Sequence, residues 1–310
     1  MFICLFVDNI DLGAVLCYNF SMLYLSDFEF PDEQTEYEFR WGLLNKKMHR
    51  SCYDTIYPFF ILSAHGLNRL DFESVTILYG GNGSGKTTVL NVIAEKLGAK
   101  RDSLYNRSDF FEDYTEFCAY NMEKKTDTVR IITSDDVFDF MLNVRTLNNG
   151  IDKKREELFD EYLTAKKSLS EVKSFDDYEK LKKICATRRM TQSQYVRKNL
   201  IDNVREHSNG ESAFAYFTNI IRDSGLYLLD EPENSLSPER QLELLKYLED
   251  SARFFGCQFI IATHSPFLLS MRGAKIYDLD EEIADVKKWT ELKNVRAYYD
   301  FFLMHKKEFD

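Results

Sequence analysis

Apolar runs that stop abruptly at glycines or acids divide this chain. Ser74–Tyr79 is β-branched and apolar throughout and predicts a buried strand. After it, Val89, Leu90, Val92, Ile93 and Leu97 recur at helical spacing until Gly98 closes the helix. The same alternation returns downstream. Val129–Thr133, Leu226–Leu229, Gln258–Thr263 and Lys275–Leu279 read as strands, and a helix opens at Ser237-Pro238 and runs toward Phe255 and Gly256. Residues 22–70 read as short strands joined by polar turns, residues 151–206 as helical throughout, and the tail from Val286 to Phe309 as helical. The pattern predicts an α/β fold with an inserted helical lobe. The expected divisions are an N-terminal extension (1–21), an N-terminal core part (22–150), the lobe (151–206) and a C-terminal core part (207–310).

Between the first buried strand and its helix lies Gly80-Gly81-Asn82-Gly83-Ser84-Gly85-Lys86-Thr87-Thr88, which fits G-x-x-x-x-G-K-[ST]. A triphosphate needs several N–H donors converging on it. Glycines let the backbone wrap phosphate oxygens with no Cβ in the way, at the positive end of the next helix. Lys86 adds a mobile cation for the β and γ oxygens, and the Thr87 hydroxyl is the expected Mg²⁺ ligand.

The other strand ends carry matching chemistry. Asp230 and Glu231 follow an apolar strand, so Asp230 can bind Mg²⁺ directly or through water, while Glu231 can orient and deprotonate an attacking water. His264, at another strand exit, can reach a γ-phosphate. Asp135 or Asp136 could hold water or Mg²⁺, while Ser134 or Asp135 would equally serve as a cap of the following helix. Ser208-Asn209-Gly210-Glu211 by itself is a polar turn opening an amphipathic helix. Among the aromatics Tyr53, Tyr57, Phe59 and Phe60, stacking on an adenine and plain packing of a β layer are both open.

Charge and cysteines narrow the picture. With 40 Lys and Arg against 51 Asp and Glu the net charge is −11, which excludes a uniformly basic nucleic-acid coat. One local exception is Lys180–Arg205, where eight basic residues face Asp202 alone. It is either a solvated helical face or a phosphate-backbone contact through Arg188, Arg189, Arg197 and Lys198. The six cysteines have neither C-x-x-C pairing nor regular spacing and read as reduced thiols of a cytoplasmic protein. No stretch reaches 18 apolar residues, so no membrane contact is expected.

Assembled in order, the motifs resemble the ABC-type ATPase head of the SMC, RecF and overcoming-lysogenization-defect families, over roughly residues 22–280. The resemblance implies an AAA-family P-loop NTPase of ABC type. Its fold would be a mainly parallel central sheet flanked by helices, with an N-terminal antiparallel β layer. Residue by residue, Gly80–Thr88 match Walker A, Asp230 and Glu231 match Walker B and the catalytic glutamate. Ser208, Gly210 and Glu211 match the signature, Ser235–Ser237 the D-loop, and His264 the switch histidine. It also implies ATP and Mg²⁺ as ligands and a homodimer in which the signature of one copy faces the nucleotide of the other. The departures are a signature reading Ser-Asn-Gly-Glu and Asp135 or Asp136 in place of the lid glutamine. The lobe is too short for a coiled-coil arm, and 46 residues after His264 leave no room for a nuclease domain. The expected function is an ATPase that dimerises around Mg·ATP and switches a partner effector or a nucleic-acid transaction. The alternatives are a low-turnover ATP-sensing adaptor docking a nuclease, and the ATPase subunit of a transporter.

Overall fold

The computed structural model describes residues 22–44, 56–167, 191, 193, 194, 196, 200, 209–281 and 284–309. The extension 1–21, Tyr53, Ser208, and the basic residues Arg188, Arg189, Arg197 and Lys198 lie outside them.

Two sheets organise the chain. Strands β1 (Leu25–Glu29), β2 (Arg69–Asp71) and β4 (Ala119–Met122) form an antiparallel layer in the order β2-β1-β4. The larger sheet comprises β3 (Val75–Tyr79), β5 (Val129–Thr133), β6 (Gly225–Asp230), β7 (Cys257–Ala262), β8 (Lys275–Asp278) and β9 (Asp285–Val286), in the order β5-β6-β7-β3-β8-β9. All its pairings are parallel except β8–β9. The register aligns the strand ends: Thr133 lies opposite Asp230, Asp230 opposite Ala262, Leu78 opposite Ala262, and Tyr79 opposite Asp278. Every parallel strand therefore ends on one edge, where open α/β sheets bind their ligands.

Strand parity sorts the core into two layers. Leu78, Ile131, Leu226, Leu228, Ile260 and Ala262 face the antiparallel layer and α2 (Lys86–Lys96). Ile77, Ile132, Tyr227, Leu229, Phe259 and Ile261 face the other way. There they meet α4 (Ser134–Lys167), α5 (Asn209–Ile220) and α6 (Pro238–Phe254). Because side chains alternate faces along a strand, Asp230 falls on the α2 side with Leu226 and Leu228. Gln258, fully buried at the start of β7, stitches the two sheets together. Its Oε1 accepts from Tyr24 N and Leu25 N, both at 2.8 Å, and its Nε2 donates to Leu25 O at 2.8 Å and Glu73 O at 3.1 Å.

Two sequence expectations change. Residues 33–44, read as part of a strand-and-turn region, form helix α1 (Glu33–Leu44). Asp32 caps it by accepting from Thr35 N at 2.9 Å and Thr35 Oγ1 at 2.6 Å, with Glu33 and Glu36 complementing the helix dipole in its first turn. Residue 151, the expected start of the lobe, falls inside α4, which leaves the sheet at Thr133 and runs unbroken to Lys167. The aromatics and acids after residue 101 include α3 (Phe111–Phe117), whose Phe111 and Tyr114 are core residues. The short helix α7 (Pro266–Leu269) follows β7, and beyond β8 and β9 α8 (Lys293–Met304) makes the predicted helical tail. Cys118 and Cys257 are free and buried, and burial pushes their thiols up to about 12 and about 11. Among the described residues no helix is long and apolar enough to cross a membrane.

Candidate functional site

The loop between β3 and α2 is shaped by close contacts. A Cβ on Gly80 would stand 2.4 Å from Ser84 Oγ, so only glycine lets the loop close on itself there. Gly85 has φ +91, the left-handed region that a glycine enters without penalty, and leads straight into α2. Lys86 is buried, and its Nζ donates to Gly80 O at 2.8 Å and Gly81 O at 3.0 Å. Burial lowers its basicity, while Glu231, Asp230, Asp280 and Glu233 oppose that shift. Gly81 N donates to Asp280 Oδ1 at 2.6 Å, which braces the loop from the end of β8.

Strand parity brings Asp230 to Thr87, whose Oγ1 donates to Asp230 Oδ1 at 3.2 Å. Burial, the dominant cause, raises the Asp230 carboxyl to about 6, although the Thr87 hydroxyl pulls it down. Glu231 follows with φ 48, in left-handed backbone that a glutamate adopts only under constraint. Its N donates to Ala262 O at 2.9 Å, and its Oε2 accepts from Asn234 Nδ2 at 2.9 Å. His264 Nε2 approaches Glu231 Oε1 to 3.6 Å. The edge of one sheet thus brings Lys86, Thr87, Asp230, Glu231 and His264 together.

A magnesium triphosphate fits this arrangement. Ser84 Oγ and His264 Nε2 are buried without a hydrogen-bond partner, and Lys86 spends its ammonium on its own loop's carbonyls. Thr87 and Asp230 supply the hard oxygen donors that Mg²⁺ prefers.

Other expected residues resolve differently. Asp136 is a helix cap. Its Oδ2 accepts from Thr133 N at 2.7 Å and Thr133 Oγ1 at 3.0 Å, and its Oδ1 accepts from Ser103 N at 2.6 Å. Asp136 N in turn donates to Thr133 Oγ1 at 3.4 Å, completing a reciprocal capping pair. Both oxygens are therefore engaged within the protein, and Asp135 is exposed in the first turn of α4. Gly210 lies in the first turn of α5, and Glu211 meets Arg240 Nη2 at 3.3 Å. Ser237 caps α6 by accepting from Arg240 N at 3.5 Å. Phe59 is core, stacked on Phe39 with centroids 4.4 Å apart, whereas Tyr57 OH lies 3.2 Å from Thr88 Oγ1 at the end of the loop.

Several residues around the site had no sequence signal. The Arg101 guanidinium stacks 3.8 Å from the Tyr105 centroid, bonds Asn91 on α2 and leaves Nη1 buried without a partner. Glu233 and Asn294 both bond the backbone of His264. An open cleft of about 630 Å³ adjoins His264 and is lined by Phe267, Trp289, Tyr298, Tyr299 and Phe302. Along α8, Tyr298, Tyr299, Phe301, Phe302 and Leu303 are all more than half exposed.

Comparison with solved structures finds the Smc head domain bound to the C-terminal domain of ScpA from Pyrococcus furiosus, at 13% identity. That match covers 76% of this chain and 95% of that one, with a TM-score of 0.37. The SMC head domain from Thermotoga maritima shows 14% identity, coverage of 71% and 92%, and a TM-score of 0.33. An ATP-binding cassette in a dimeric post-hydrolysis state with ADP and Pi shows 14% identity, coverage of 72% and 90%, and a TM-score of 0.31. No curated protein matches the chain. A family model described as "AAA domain, putative AbiEii toxin, Type IV TA system" matches residues 94–270. The match takes in β6, Asp230, Glu231 and His264 and begins within α2, just past the phosphate loop. With more than half of its length matched, the chain belongs to this AAA-domain family, and its sequence adds a P-loop motif at Gly80–Thr87.

Proposed function

We propose that the protein binds Mg·ATP in the loop Gly80–Thr88 and hydrolyses it, dimerising around the nucleotide to switch a partner effector. The observation that carries this reading is the convergence of Lys86, Thr87, Asp230, Glu231 and His264 on one sheet edge. Amides of Asn82, Gly83, Ser84 and Gly85 and the N-terminus of α2 bind the phosphates, and Lys86 leaves the carbonyls of Gly80 and Gly81 for the β and γ oxygens. Thr87 and Asp230 hold Mg²⁺, which when bound supplies positive charge against those oxygens. Glu231, kept in place by Asn234, takes a proton from the attacking water as the water oxygen bonds to the γ phosphorus and the bond to ADP breaks. The buried His264 Nε2 faces the same γ-phosphate. Ser208, Gly210 and Glu211 of a second copy complete the outer side of the nucleotide, so hydrolysis removes the contact joining the two copies. The effector is a separate protein of nuclease type, the compartment is the cytoplasm, and Arg188, Arg189, Arg197 and Lys198 offer a phosphate-backbone contact for DNA or RNA.

The test is phosphate release together with mass by light scattering. The wild type should release phosphate faster than Lys86→Ala, and Glu231→Gln should bind Mg·ATP and accumulate as a dimer. Turnover no higher than that of Lys86→Ala would favour the ATP-sensing adaptor, and a monomer under saturating Mg·ATP would overturn the dimer.

A further inference from the structure

His264 is held by its backbone from two sides. Its N–H donates to Glu233 Oε1 at 2.7 Å, and its carbonyl accepts from Asn294 Nδ2 at 3.0 Å. Glu233 does more than meet one amide. The same Oε1 accepts from Thr263 Oγ1 at 2.7 Å and from Ser265 N at 3.1 Å, so one carboxylate oxygen gathers three donors from consecutive residues at the exit of β7. Its Oε2 is buried without a partner, which shows that the side chain is committed to this turn and is not reaching for solvent. A carboxylate accepting two N–H groups and a hydroxyl makes charge-assisted bonds, the stronger class of hydrogen bond.

Asn294 gives the second half of the hold. It sits in the first turn of α8, and its own N donates to Tyr79 OH at 3.2 Å, on the residue that precedes the phosphate loop. Glu233 belongs to the turn after β6, two residues past Glu231. The His264 peptide is therefore tied to the Glu231 turn on one side and to the phosphate-loop strand on the other.

Resting on the proposed function, we propose that Glu233 is a positioning residue that, with Asn294 opposite, fixes the His264 peptide so that the imidazole stays beside Glu231 and faces the γ-phosphate. The 3.6 Å approach of Nε2 to Glu231 Oε1 is the distance the clamp maintains. The hydrogen bonds of Glu233 go to Thr263, His264 and Ser265. The proposed effect passes through the turn that carries His264, and α8 is the element through which contact at the adjoining cleft would reach the site.

Two measurements on the full chain test this. In nucleotide-free protein, hydrogen exchange at the His264 amide should accelerate about tenfold or more in Glu233→Ala and stay slow in Glu233→Gln, which keeps an acceptor oxygen. In steady-state ATP hydrolysis, Glu233→Ala should lower kcat about tenfold with KM within about twofold, while Glu233→Gln recovers most of it. In a His264→Ala background, adding Glu233→Ala should change kcat by less than about twofold. Unchanged exchange in Glu233→Ala, a loss that persists in full without His264, or a rise in KM at constant kcat would each overturn the proposal. A wild type no faster than Lys86→Ala would instead overturn the ATPase reading, leaving the exchange measurement to judge the clamp.

Discussion

Thr87 Oγ1 donates to Asp230 Oδ1 across 3.2 Å, joining the end of the phosphate loop to the end of β6. Burial holds that carboxyl protonated up to about pH 6, whereas an unfolded aspartate loses its proton near 4. Between those values the folded state binds more protons, so stability from this group is present below about pH 4 and is lost as pH rises through about 6. Nucleotide-free wild type should therefore lose more stability between pH 5 and 7.5 than Asp230→Asn does, by about 1 kcal/mol, seen as a larger drop in Tm. Mg·ATP should raise the wild-type Tm more at pH 7.5 than at pH 5, because the metal replaces the proton. Scanning calorimetry at the two pH values checks both.

Gly80→Ala should cost about tenfold or more in nucleotide affinity while the rest of the sheet stays folded. The new Cβ would meet Ser84 Oγ at 2.4 Å and Ser84 Cβ at 2.8 Å, so the loop must open to admit it. Titration with a fluorescent ATP analogue measures the loss. The double variant with Ser84→Gly should recover part of it, since both clashing atoms are gone.

Glu231→Gly should abolish hydrolysis and leave the protein at least as stable as wild type. Left-handed backbone at φ 48 costs a glutamate on the order of 1 kcal/mol that glycine does not incur, and the change removes one acid from beside Asp230 and Glu233. The hydrogen bond from Asn234 Nδ2 is lost in the exchange and offsets part of the gain. Urea denaturation and phosphate release, read together, show whether strain is stored at Glu231, the proposed catalytic glutamate.

Gln258→Ala should destabilise the fold by about 3–5 kcal/mol, with an unchanged far-ultraviolet spectrum below the transition. The substitution strands Tyr24 N, Leu25 N, Leu25 O and Glu73 O, all of which the Gln258 amide satisfies. A loss under 1 kcal/mol in urea denaturation would show that these four hydrogen bonds do not carry the joint between the two sheets.

Much of the site was legible because it is written in covalent neighbours. A glycine loop between a strand and a helix, and two acids ending an apolar strand, place their own chemistry within a few residues. The alternation of side chains along β6 then decides that Asp230 shares a face with Leu226 and Leu228. Local spacing was enough for the glycine loop between a strand and a helix, the acids at 230 and 231 at a strand end, and the strands that carry them. It took the folded chain to show that Asp136 caps α4, that Glu233 and Asn294 hold His264, that Arg101 packs on Tyr105 behind α2, and that residues 33–44 are helical. The difference is one of reach. Glu233 and Asn294 each meet His264 across about 30 intervening residues, and Gln258 meets Leu25 across more than 200. Such partners are chosen by the strand order β5-β6-β7-β3-β8-β9, which no local spacing of apolar and polar residues encodes.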